Sequence, residues 1–160
     1  MVNVMLICVG KLKEKYLRDG CAEYIKRLQT FCKINVIEID EVRLPDNPSA
    51  AQISACIENE GKRITAKLPS GAHLITMCIE GKQLDSVELS QTIHKVGVSG
   101  VSSFAFVIGG SYGLCEKVKE QSHLRLSMSK MTFPHQFARM MLLEQIYRAF
   151  HIINNGKYHK

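Results

Sequence analysis

No apolar run in this chain approaches the ~18 residues that a membrane-crossing helix needs. No two cysteines are spaced C-x-x-C, and no Asp or Glu occurs between Gln121 and Leu143. The first absence argues against a helical membrane span. The apolar opening Val2 to Val9 lacks a preceding basic region and a following small-residue cleavage site, so it does not read as a secretory leader; the cytoplasm is the expected location. The second absence removes support for zinc and thioredoxin-type readings. The six cysteines (Cys8, Cys21, Cys32, Cys56, Cys78, Cys115) fall mostly in apolar stretches and are expected to be reduced, structural thiols. The third absence concentrates positive charge. His123, Arg125, Lys130, His135 and Arg139 all lie in the acid-free stretch, within a chain of 21 basic and 15 acidic residues. A net charge of +6 is compatible with a polyanionic partner without specifying one.

With 160 residues, 46% of them hydrophobic, the chain suits a single domain with its own core, expected to span 1–160. Val2 to Val9, closed by Gly10, reads as a buried strand. Tyr16, Leu17, Cys21, Tyr24, Ile25 and Leu28 recur at helical spacing, and Ile34 to Ile39 reads as a second strand. Val42 to Pro48 is a loop. Ser49 with Gln52 forms a capping box that opens a helix towards Lys67. Ala72 to Ile79 is a third strand, with a turn expected at Glu80-Gly-Lys82. Asp85 with Glu88 caps another helix through Val96. Ser103 to Ile108 is a fully apolar strand, followed by a short helix around Glu116 to Glu120, a strand at Leu124 to Met128 and a long helix from Pro134 to Ile153. Apolar strands separated by amphipathic helices predict an α/β class with a parallel sheet covered on both faces. Ligands bind beyond the carboxyl ends of such strands, here the loops after Ile79, Ile108 and Met128.

Gly109-Gly110 directly after a buried strand would let a ligand approach the backbone, although such glycines also occur for purely steric reasons. The pattern Gly109-Gly110-x-x-Gly113 is not the dinucleotide fingerprint, the ribose-binding acid is missing, and no Walker loop is present. On the last helix, Leu142, Leu143, Ile146, Ala149, Phe150 and Ile153 share one face, with His135 and Arg139 projecting onto it at the amino end. A cation on an apolar face requires an anion or acceptor. Glu144, Arg148 and His151 gather elsewhere, either as a simple helix ion pair or with Glu144 orienting Arg148 at a site. Met140, Met141, Tyr147 and Ile152 lie outside the main core face, more apolar surface than one small domain uses, which predicts a homodimer. Ser111 lacks the nucleophile-elbow order, and Ser127 and Ser129 read as loop residues.

ITMCIEGKQLDS (Ile75 to Ser86), FVIGGSYGL (Phe106 to Leu114), LSMSKMTFPHQFAR (Leu126 to Arg139), LLEQIYRAF (Leu142 to Phe150) and the closing KYHK occur in an order that resembles the RlmH family. These are SPOUT-type enzymes that methylate N3 of a pseudouridine in the helix 69 loop of large-subunit ribosomal RNA. The resemblance implies a parallel α/β sheet whose carboxyl part is threaded into a trefoil knot, a homodimer, and S-adenosylmethionine bound at Met77, Gly109 and the loop Met128, Ser129, Lys130, Met131, Thr132 and Phe133. It further implies catalytic roles for His135, Arg148, Tyr158, His159 and Lys160, and RNA contacts by Arg139 and Lys160. The ribosome is the implied partner, with no metal and no membrane. Lys160 stands where some members carry Arg, and a Lys keeps the charge without the planar fork. A knotted methyltransferase acting on transfer RNA, a silent RNA-binding module and a nicotinamide enzyme are the alternatives.

Overall fold

Two strands are apolar on both faces because both faces are covered. In β1 (Val2–Val9) the side chains of Val4, Leu6 and Cys8 enter one core while Ile7 and Val9 enter another; β4 (Ser103–Ile108) divides Phe104, Phe106 and Ile108 from Ala105 and Val107 in the same way. The computed structural model describes residues 1–160. Its single five-stranded sheet has the order β2-β1-β4-β3-β5, with β2 at Cys32–Ile39, β3 at His73–Gln83 and β5 at Leu124–Ser127, and every pairing is parallel. The expected α/β class and parallel sheet are therefore present.

The larger core is closed by α1 (Lys15–Leu28), α3 (Ser86–Val98) and α5 (His135–Ile153), the smaller by α2 (Ala50–Thr65) and α4 (Glu116–Gln121). Both capping boxes form as the sequence predicts: Ser49 accepts from the Gln52 N–H and Asp85 from the Glu88 N–H, with the Gln and Glu side chains returning the bond. Helix α5 fills the space between α1 and α3 through Leu142, Leu143, Ile146 and Ala149, all essentially fully buried. Each of the Leu and Ile side chains contributes ~1.5–3 kcal/mol by leaving water. Pro134 sits one residue earlier than expected, as the amino-terminal cap of α5 rather than in its first turn.

The turn expected at Glu80-Gly-Lys82 is absent. β3 instead runs on to Gln83, with its register against β5 interrupted between Met77 and Lys82, both of which pair with Leu126. A Cβ on Gly81 would lie 2.7 Å from the Arg125 carbonyl, so the bare α-carbon is what lets the bulged strand press on β5. The bulge carries Cys78 and Ile79 towards the carboxyl edge of the sheet.

Candidate active site

The carboxyl ends of β3, β4 and β5 enclose a cleft. Met77, Cys78 and Ile79 form one wall, Ile108, Gly109, Gly110 and Gly113 a second, and the segment after β5 (Met128, Ser129, Met131, Thr132, Phe133) a third, with His135 and Ala138 from the first turn of α5 closing the end. Every residue expected at a cofactor site lines it except Lys130, which is exposed beside it. Short turns hold the third wall: Ser127 Oγ donates to the Ser129 carbonyl at 3.0 Å, and Ser129 Oγ accepts from the Met131 N–H at 3.0 Å. Ser129 is thus a loop residue, as expected, whereas Ser127 is the buried last residue of β5, paired with Gln83. Ile79 and Met131 are exposed, giving the cleft an apolar mouth.

The glycines act differently from the expectation of an open approach for a ligand. A Cβ on Gly109 would sit 2.8 Å from the carbonyl carbon and oxygen of Gly113, so the space beside it is filled by the loop's own backbone. The Gly113 N–H donates to the Gly110 carbonyl at 3.0 Å, and Gly113 has φ +84°, which a side chain would strain. Gly109 is required for the shape of this wall first, and for ligand contact only through it.

His135 and Arg139 begin α5 and lie against the carboxyl ends of β1 and β2. His135 Nε2 is 3.1 Å from Glu41 Oε1, just beyond the end of β2. Arg139 is buried, with Nη1 donating to Glu38 Oε2 at 2.8 Å and Nη2 to the Gly10 carbonyl at 3.0 Å, while its Nε has no partner. The anion and acceptor that the apolar face demanded are therefore internal. The expected RNA contact by Arg139 is corrected accordingly, because a guanidinium sealed onto Glu38 and Gly10 is not presented to a phosphate. Deep in the same region, burial pushes the Cys8 thiol up to about 12 despite the nearby Arg139 charge. All six cysteines are free, and no three His, Cys, Asp or Glu side chains gather as metal ligands.

The remaining expected residues form a second cluster at the other end of α5. Arg148 pairs with Glu144, and its Nη1 lies 3.1 Å from His159 Nδ1. Its guanidinium carbon stands 4.7 Å from the Tyr158 ring centroid, and Tyr158 Oη donates to Glu144 Oε1 at 3.0 Å. Arginine has no acceptor, so His159 Nδ1 receives this bond and the proton of the neutral ring resides on Nε2. Burial, followed by the hydrogen bonds to Glu144 and Tyr24, pushes the Tyr158 phenol up to about 12, so it is a neutral donor at physiological pH. Gly156 makes the fold-back possible: a Cβ there would lie 2.2 Å from His151 Nδ1. Lys160 is exposed at the end of the chain.

Thirteen positions separate His135 from Arg148 along α5, which at 1.5 Å per residue is about 20 Å. Within the chain the two groups of expected catalytic residues do not meet. Glu144 is more than half of a helix ion pair, since it binds both Arg148 and Tyr158. Glu41 was not foreseen; only the adjacency of β1 and β2, invisible in a linear reading, brings it to His135.

The whole chain has counterparts among known proteins. The family model described as "Predicted SPOUT methyltransferase" matches residues 2–159. The ribosomal RNA large subunit methyltransferase H of Leuconostoc mesenteroides is 48% identical over 99% of this chain and 100% of its own length, and that of Bacillus pumilus is 47% identical over the same shares. The solved structure of a methyltransferase described as probable, from Bordetella pertussis, superposes with a TM-score of 0.57 at 16% identity, covering 93% of this chain and 96% of that one, and so shares the fold.

Proposed function

Because this chain belongs to the SPOUT methyltransferase family, and within it to the large-subunit ribosomal RNA methyltransferase H group, we propose that it transfers a methyl group from S-adenosylmethionine to N3 of a pseudouridine in the helix 69 loop of 23S ribosomal RNA, on the assembled ribosome in the cytoplasm. The observation that carries the reading is the cleft itself: the bulged part of β3 and the loops after β4 and β5 converge at the carboxyl edge of a parallel sheet, with seven of the eight expected cofactor residues on its walls. The donor set fits the cofactor. Apolar Met77, Ile79, Met131 and Phe133 suit an adenine ring, and backbone groups of the glycine and serine loops suit its polar edge. The hollow holds about 170 Å³, less than the ~300–1,000 Å³ usual for ligand pockets, so a nucleoside-sized ligand extends over the Ile79–Met131 rim. When bound, the cofactor supplies the electrophilic methyl.

The chain's own task is to remove the N3 proton and aim the nitrogen. A carboxylate 3.1 Å from His135 Nε2 favours the proton on that nitrogen and leaves Nδ1 as the acceptor. His135 is therefore the general base of the proposal. Tyr158 and His159 serve as donors, the first because its phenol stays protonated, the second because Arg148 occupies Nδ1. Arg148 offsets negative charge developing on the base. Since both groups cannot act on one nucleotide across about 20 Å, a homodimer supplies the tail of one protomer to the cleft of the other, Lys160 reaching RNA from that tail. The trefoil knot belongs to the same proposal.

The test is methyl transfer from labelled cofactor to ribosomes of cells lacking the protein, with mass spectrometry of the ribosomal RNA. One methyl at pseudouridine N3 is the expected product. Incorporation into transfer RNA alone overturns the reading.

A further inference from the structure

The segment between β1 and α1 leaves the sheet one strand away from the glycine loop. Cys8 pairs with Ile108, and Val9 packs against Gly110, so Lys11 emerges beside the cleft wall. The Lys13 N–H donates to Gln136 Oε1 at 2.8 Å, tying the segment to the turn of α5 that carries His135. Leu12 is its apolar anchor, packed against the larger core. Arg18 reaches back from α1, and its Nη1 donates to the carbonyls of Leu12 at 3.3 Å and Lys13 at 2.7 Å. Lys15 is spent on Asp19 at 2.7 Å.

Lys11 and Lys13 remain. Both are exposed and neither forms an ion pair, although the backbone carrying them is held at three points. The acidic groups beside them are committed, Glu38 to Arg139 and Glu41 to His135; only exposed Glu14 stands free on the segment. Nothing in the fold uses these two ammonium groups. A rigid loop that displays two unneutralised cations at the mouth of a catalytic cleft fits a polyanion, and its fixed backbone reduces the ordering entropy lost on binding.

We infer that Lys11 and Lys13 form a phosphate-contacting rim that seats the substrate RNA backbone over the cleft. This rests on the reading that the substrate is RNA. It replaces Arg139, which the fold consumes, as the cationic contact on this side of the site.

The experiment measures binding to, and methylation of, large ribosomal subunits by the wild type, by a Lys11→Ala/Lys13→Ala double variant and by a Lys67→Ala/Lys95→Ala control with the same charge loss at exposed positions elsewhere, in the turn after α2 and on α3. Loss of two phosphate contacts should flatten the slope of log affinity against log salt by about 1.5 and raise KM for the subunits about tenfold near physiological salt, with kcat, melting temperature and cofactor affinity unchanged. The control should match the wild type. A double variant with the wild-type salt slope, one no weaker than the control, or one whose defect lies in kcat or cofactor affinity overturns the inference. Wild-type protein that binds subunits without methylating them defeats the proposed reaction but leaves the slope comparison decisive for the rim. Wild-type protein that does not bind them overturns both.

Discussion

The two ends of α5 hold charged residues in opposite ways. At the amino end Arg139 is sealed between Glu38 and the Gly10 carbonyl, and its interactions belong to the fold. At the carboxyl end Glu144, Arg148, Tyr158 and His159 bind mainly one another, on a surface closed only by seven residues of tail. The buried Arg139 guanidinium cannot change partners without becoming an uncompensated charge inside the fold, whereas a cluster of partly exposed side chains on a short tail can change partners at small cost. One end is therefore architecture, and the other is held loosely enough to change partners.

The strongest challenge to this contrast is Arg139→Ala. It should cost about 1–3 kcal/mol in denaturant unfolding, since it leaves the buried Gly10 carbonyl without its donor, while Glu38, partly open to solvent, is rehydrated. A loss under 1 kcal/mol would mean that the amino end is as dispensable as a surface pair. Deleting Tyr158 to Lys160 should leave the melting temperature and cofactor binding nearly unchanged while lowering methyl transfer at least ~100-fold, about 2.7 kcal/mol of transition-state stabilisation. Full activity in the truncated protein would reduce the tail to an ordinary frayed end. Gly156→Ala sharpens the same point more gently. Its methyl group collides with His151 Nδ1 and should displace the tail, cutting turnover about tenfold with little change in stability. Glu144→Gln should move the Tyr158 titration, followed by phenolate absorbance, downward from about 12, because the carboxylate that disfavours ionisation is gone.

The smallest expected effect lies at the opposite edge of the sheet. His73 and His123 stack with ring centroids 4.6 Å apart, and burial, then the His123 charge, lowers the His73 pKa. The unfolded chain binds this proton more readily. Its contribution is thus intact above the ordinary histidine range near 6.5 and is lost as pH falls through the lower folded value. Melting curves from pH 8 to pH 5 should show a shallow decline that His73→Leu reduces; an unchanged slope in that variant would assign the decline to other groups.

Much of this was legible before any coordinates. Val2–Val9, both capping boxes and the loops after β4 and β5 follow from local patterns of apolarity and side-chain hydrogen bonding, which the structure preserves. What escaped depended on contacts between distant segments. The turn at Glu80 became a bulge because β5 lies against Gly81, Gly109 serves the Gly113 carbonyl, and Arg139 meets Glu38, 101 positions away. The tail residues were recognised by resemblance, yet their mutual binding through Glu144 depends on a chain reversal at Gly156 that no periodicity encodes.

The strand order has a consequence for how the chain comes to be folded during synthesis. β1 and β2 can zip together early, but the other side of β1 stays open until β4 is made, since Val4 pairs with Phe104. β3, although finished earlier, has no neighbour until β4 and then β5 arrive. Between the completion of β3 and that of β4 the nascent chain therefore exposes the edges of both β1 and β3, the state most prone to aggregation and most in need of chaperone cover. Pulse-labelled hydrogen exchange during refolding should find the β1–β2 amides protected first and those of β3 only together with β4.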